Sequence, residues 1–258
     1  MWSVCWTRSP PPGRSWPMTE RLLLLPGWSY SSAALQPLAT ALRELSSGAL
    51  QVELAELPVL ADAEHWLDAL DAQLPRDTWL GGWSLGGMLA AQLAARRGVS
   101  CRGLISIASN PSFQQRSDWP DAMPAETLAA FRQGLAADTT ATLQRFDLLA
   151  SQGDSAQRAL RRQLQGMRSA ADEGVLAAGL GCLAQLDGRA ALAAWPGPQL
   201  HLFAEQDVLV PVTAAQVTRQ HLPQAHIEVI EQASHAAPFS HARQVAGSML
   251  AFIQESAR

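Results

Sequence analysis

The chain has 258 residues, is 48% hydrophobic and 16% charged, and carries a formal net charge of −4. That length suffices for one well-buried core with an insertion, the acidic balance argues against nucleic acid as a partner, and no apolar run approaches the roughly 20 residues of a membrane span. Three cysteines, Cys5, Cys101 and Cys182, have neither metal nor redox spacing and an odd count, so no metal, cofactor or disulfide framework is expected and a reducing cytoplasm is the simplest compartment.

Residues 1–17 read as an extension outside the fold, either disordered or the product of a start placed upstream of Met18, because they lack the long apolar region and small-residue cleavage site of a secretory signal. From Met18 strands and helices alternate, as in a doubly wound sheet. Leu22–Leu25 is a buried strand, Ser32–Leu45 a helix, Gln51–Leu57 a strand of period two and Ala61–Leu74 a helix.

Next, Asp77–Leu80 reads as a short strand and Met88–Ala95 as a helix, with Gly81-Gly82-Trp83-Ser84-Leu85-Gly86-Gly87 between them. Strand, Gly-x-Ser-x-Gly and helix together make a nucleophile elbow: the turn strains Ser84, the glycines admit neighbouring backbone, and the hydroxyl stands above a helix N-terminus. This context predicts a serine hydrolase of the α/β-hydrolase fold, a mostly parallel doubly wound sheet.

A strand at Arg102–Ala108 follows, and then the rhythm stops. Residues 111–186 hold only helical stretches, at Pro124–Gly134, Thr139–Ser151, Ser155–Met167 and Glu173–Leu183. Such an insertion between parallel strands lies over the carboxyl edge of the sheet, where ligands bind, so it is expected to be a lid on a core formed by 18–110 and 187–258. Strand Gln199–Ala204, helix Val212–His221, strand His226–Glu231 and helix His241–Ile253 complete the chain.

The elbow needs a base and an orienting acid, supplied in this fold in the order nucleophile, acid, histidine. His235 follows the final strand in a loop that can reach the sheet edge, with His241 as its rival at the start of the last helix. Asp207 follows the penultimate strand and would accept the imidazole Nδ1 proton; an Asx-turn role suits it too, and Glu205 is a weaker rival. The oxyanion donors are expected to be the N–H of Leu85 and that of Trp28, in the Pro26-Gly27-Trp28-Ser29 loop after the first strand.

Gly82-Trp83-Ser84-Leu85-Gly86-Gly87, Ile107–Phe113, Asp118-Trp119-Pro120, Leu143–Phe146, Asp207–Pro211 and Ser234–His241 together resemble the pimeloyl-[acyl-carrier protein] methyl ester esterases of biotin synthesis, from Leu22 almost to the C-terminus. The resemblance implies a carboxylesterase that unmasks the distal carboxylate of a pimeloyl chain on its acyl carrier protein. It further implies substrate contacts at Trp28, Ser84, Leu85, Phe146, Asp147, Leu148, Leu149, Ala150 and His235, and carrier docking by Arg145, Arg158 and Arg162. All 19 basic residues are arginine, and residues 141–168 hold five of them against two acids, so this part of the lid is locally basic on an acidic chain. Two features depart from the family pattern. Pro26 stands where His often precedes the glycine, which leaves the Trp28 N–H free, and little sequence precedes the first strand for added antiparallel strands. A general short-chain carboxylesterase is the alternative expectation, and the chain reads as a monomer.

Overall fold

The structure is a computed structural model and describes residues 20–256; the expected extension at 1–17 lies outside them. The Leu22–Leu25 run forms the end of β1 (Glu20–Leu25), and all four leucines are buried. A strand so apolar on both faces belongs inside a parallel sheet covered on both sides. A 3₁₀ turn at Ser32–Leu35 leads into α1 (Gln36–Leu45), and β2 (Leu50–Leu54) lies beside β1. After α2 (Trp66–Gln73) come β3 (Thr78–Trp83), α3 (Leu85–Arg97) and β4 (Cys101–Ile107).

After β4 an irregular stretch with isolated bridges runs from 108 to 124, and then come only helices before the next strand: α4 (Ala125–Ala137), α5 (Thr139–Ser151), α6 (Gln157–Gln165), α7 (Glu173–Gln185) and α8 (Arg189–Ala194). Then follow β5 (Gln199–Ala204), α9 (Thr213–His221), β6 (His226–Ile230), the single turn α10 (Ala237–Ser240) and α11 (Ala242–Ser256). The six strands run in the order β2-β1-β3-β4-β5-β6, and every pairing is parallel. Helix α1 packs on α11, while α3 packs on α2 and α8.

The elements thus occur where expected, with shifted ends. The elbow strand is longer than Asp77–Leu80 because it continues through Gly81 and Gly82 to Trp83, and its helix starts directly after Ser84. The two-stage starts of α1 and α2, each preceded by a 3₁₀ turn, shorten the expected helices, and α8 and α10 were not expected.

One core histidine gives the fold a pH dependence. His201 on β5 is fully buried, with Nδ1 2.7 Å from Ser106 Oγ and Nε2 3.3 Å from Gln199 Oε1. The Gln199 amide nitrogen donates to the Leu192 and Trp195 carbonyls, so its oxygen is left to accept, and His201 is the Nε2–H tautomer. Burial lowers the pKa of this imidazole to about 4. Below its unfolded value of about 6.5 only the unfolded chain takes up the proton, so stability falls as pH drops from about 6.5 to about 4. Urea unfolding at pH 7 and pH 4.5 should show a loss of about 2–3 kcal/mol attributable to this residue, absent in His201→Gln. Equal losses in both proteins would refute the assignment.

Candidate active site

The strand order reverses direction between β1 and β3, so the loops leaving their carboxyl ends diverge and open a crevice there. Leu25 is paired with Gly82, which sets the turn after β1 beside the elbow after β3. Ser84 has φ 55° and ψ −119°, a strained conformation for a residue with a Cβ, and its N–H donates to the Ile107 carbonyl at 2.9 Å. The flanking glycines are obligatory. A Cβ at Gly82 would lie 2.2 Å from the Gly86 backbone, and one at Gly86 would lie 2.3 Å from the Leu25 carbonyl oxygen.

β5 and β6 perform the same service for Asp207 and His235, the candidate acid and base. Ala204 pairs with Ile230, so Asp207, three residues on, and His235, five residues on, leave adjacent strand ends. His235 Nδ1 lies 2.7 Å from Asp207 Oδ2, and both side chains are fully buried. The other carboxylate oxygen accepts the N–H groups of Leu209 at 2.8 Å and Val210 at 2.9 Å. Asp207 therefore makes an Asx-type turn with one oxygen and orients the imidazole with the other, so both expectations for it describe the same residue. Glu205, the rival acid, instead accepts the Gln232 N–H at 2.8 Å and secures the turn after β6. His241, the rival base, is near the surface with Nδ1 2.9 Å from Ser240 Oγ.

His235 Nε2 is buried and has no partner among the described residues, which leaves it available as a proton acceptor. Ser84 Oγ does not hydrogen-bond to it here, a bond that in unliganded hydrolases often tightens only with substrate. Leu85 opens α3 and Trp28 sits in a tight turn closed by the Tyr30 N–H to the Gly27 carbonyl at 3.2 Å. Neither the Leu85 nor the Trp28 N–H donates to an acceptor among the described residues, so both are free for an oxyanion.

The helical insertion closes over this edge. The Phe146 ring on α5 lies 6.4 Å from the His235 ring and 4.9 Å from that of Trp28, whose Nε1 donates to the Leu176 carbonyl on α7 at 2.8 Å. The Ala150 carbonyl at the end of α5 accepts the Ala236 N–H at 3.1 Å. Of the run 146–150, the structure thus brings Phe146 and Ala150 to the catalytic loops. Leu148 is 40% exposed on the outer side, Leu149 is half-buried, and the Asp147 carboxylate is taken up by the Tyr30 hydroxyl and Arg168.

Arg145, Arg158 and Arg162 are all exposed, and the Arg145 guanidinium lies over the Phe131 ring, 4.8 Å from its centroid. Leu160 and Leu164 anchor α6, which turns Arg158 and Arg162 outward beside a groove of about 670 Å³ lined also by Leu148, Asp154 and Arg161. Sequence reasoning missed Trp83, Tyr30 and Arg168. The Trp83 Nε1 donates to the His235 carbonyl at 2.8 Å, across 152 residues of chain, and no local pattern announces such a pairing.

No described helix is long and apolar enough to cross a membrane. Residues 25–242 match the alpha/beta hydrolase fold family. Solved structures with the same fold include a bromoperoxidase from Bacillus anthracis (TM-score 0.80, 18% identity) and an esterase from Exiguobacterium antarcticum (TM-score 0.77, 18% identity), each match covering 92% of both chains. The biotin biosynthesis bifunctional protein BioHC of Cellvibrio japonicus is 38% identical over 90% of this chain, which spans only 47% of that relative's length. The pimeloyl-[acyl-carrier protein] methyl ester esterases of Aeromonas hydrophila (35% identity, 86% of this chain, 91% of the relative) and Xanthomonas campestris (34%, 90% and 94%) match along nearly their whole lengths. The chain belongs to the alpha/beta hydrolase family and, within it, to the group of the pimeloyl-[acyl-carrier protein] methyl ester esterases.

Proposed function

We propose that the chain is a serine carboxylesterase that hydrolyses the methyl ester of a pimeloyl chain held on an acyl carrier protein, freeing the distal carboxylate for biotin synthesis. The substrate assignment rests on the near-full-length likeness to esterases of that name. The observation that supports the chemistry is the buried Asp207–His235 bond at the same sheet edge as the strained Ser84.

Ser84 Oγ attacks the ester carbonyl while His235 Nε2 takes its proton, and Asp207 stabilises the imidazolium through Nδ1. The tetrahedral oxyanion accepts the Leu85 and Trp28 N–H groups. Collapse expels methoxide, which leaves as methanol with the proton from Nε2. Water, deprotonated by His235, then attacks the acyl-enzyme and releases the acid and Ser84. Residues 111–186 act as the lid, with Trp28 and Phe146 walling the acyl path. The exposed arginines Arg145, Arg158 and Arg162 meet the acidic carrier protein, and the enzyme works as a cytoplasmic monomer.

The test replaces these three arginines together by Gln, which removes the charge and keeps a polar side chain at each exposed position. Hydrolysis of carrier-bound pimeloyl methyl ester is expected to slow by about tenfold in kcat/KM, and wild type should show a similar loss in high salt, because steering charges are screened. A small aryl ester should be cleaved at an unchanged rate. Comparable turnover of both esters, insensitive to salt and to the substitutions, would instead describe a general short-chain carboxylesterase.

A further inference from the structure

The turn that presents Trp28 is tied to the helical insertion by an unusual amount of backbone. Tyr30 and Arg168 form an antiparallel bridge, the Ser31 N–H donates to the Met167 carbonyl at 2.9 Å, and the Ser169 N–H donates to the Ser29 carbonyl at 2.9 Å. Ser29 between them has φ 68°, a conformation that costs a residue with a Cβ about 1 kcal/mol or more and persists where the surroundings impose it.

Beneath this bridge lies a buried charge. Asp147 on α5 is wholly inaccessible, accepts the Tyr30 hydroxyl at 2.8 Å on one oxygen and pairs with Arg168 through the other. A carboxylate in that position is costly to desolvate and is retained only with both oxygens satisfied. Burial raises its pKa from the usual aspartate value, against the opposing effects of Tyr30, Arg168 and Arg161. The Tyr30 ring in turn stacks on Trp83, the residue before Ser84, with centroids 5.0 Å apart. One cluster therefore touches the turn after β1, the elbow and the insertion.

We propose that Tyr30, Asp147 and Arg168 are positioning residues that hold the Ser29 turn in its strained form and so aim the Trp28 N–H at the oxyanion. The inference rests on the esterase reading with Ser84 as nucleophile and Trp28 as donor. Asp147 thereby acts through the backbone of the turn and makes no contact with substrate. The cluster also links closure of the insertion to assembly of the oxyanion site, since α5 supplies Asp147 and the segment after α6 supplies Arg168.

Tyr30→Phe, which keeps the ring on Trp83, Asp147→Asn and the double variant would be compared with Ile253→Val, a core change on α11 far along the chain from these loops. The readouts are kcat and KM for p-nitrophenyl butyrate, melting temperature, and inhibition by a trifluoromethyl ketone, which forms a tetrahedral adduct on Ser84 Oγ. Each single variant should lower kcat by about tenfold with KM within about twofold, and weaken the ketone by the same factor as kcat. The double variant should lose no more than the worse single one, because the residues act as a unit. Lower melting temperature with kcat and ketone affinity no worse than in Ile253→Val would overturn the proposal, as would a rise in KM at constant kcat. Ser84→Ala and fluorophosphonate labelling, run alongside, separate this failure from that of the underlying reading: persistent turnover without Ser84 would remove both.

Discussion

With Ser84 replaced by alanine, ester hydrolysis is expected to fall by about 10⁵-fold or more, while the fold is retained. The size follows from losing the attacking atom: what remains is the Leu85 and Trp28 amides, which accelerate attack by water only modestly. Alanine is a mild substitution here. The backbone at φ 55° is already accommodated around a Cβ by Gly82 and Gly86, whose own Cβ positions are filled by neighbouring backbone. His235→Ala should cost about as much, and the double variant little more than either, because nucleophile and base act as one unit. Turnover of p-nitrophenyl butyrate by the purified variant, with circular dichroism as the control, checks this. Activity above about one per cent of wild type would transfer the nucleophile's role elsewhere.

The elbow was legible because all its determinants are local. A buried strand, four closely spaced glycines and the start of a helix follow one another directly, and steric exclusion at Gly82 and Gly86 requires glycine there. Asp207 and His235 were legible for a topological reason, since each follows a strand whose parallel pairing fixes where its loop emerges. The expected strands Gln199–Ala204 and Leu22–Leu25 appear where the apolar runs lie. α8 and α10, of six and four residues, have too few positions to show a helical period and form because their surroundings pin them. Asp147 shows the limit most clearly. The resemblance implies a substrate contact there, yet the carboxylate lies on the buried face of α5, held by Tyr30, 117 positions earlier, and Arg168, 21 positions later. The same spacing argument explains why the arginines of α6 were readable: Leu160 and Leu164 define the inner face, and Arg158 and Arg162 fall opposite.

Asp207→Asn should lower kcat by about 10⁴-fold, although the side chain keeps its shape. The reason lies in how this carboxylate is held. Oδ1 accepts two backbone N–H groups, from Leu209 and Val210, and Oδ2 faces His235 Nδ1. An asparagine has one oxygen, and two donors at 2.8 and 2.9 Å compete for it. Its amide nitrogen is then forced toward Nδ1, which must accept, so the proton moves to Nε2 and the imidazole can no longer deprotonate Ser84. Asp207→Ala lacks this imposed tautomer and should retain more activity than the asparagine variant, despite being the larger truncation. That inverted order distinguishes tautomer control from simple loss of negative charge, which would make the two variants equal, and from loss of packing, which would make alanine the worse. The comparison needs kcat for one small ester in three proteins, with melting temperatures to show that each is folded.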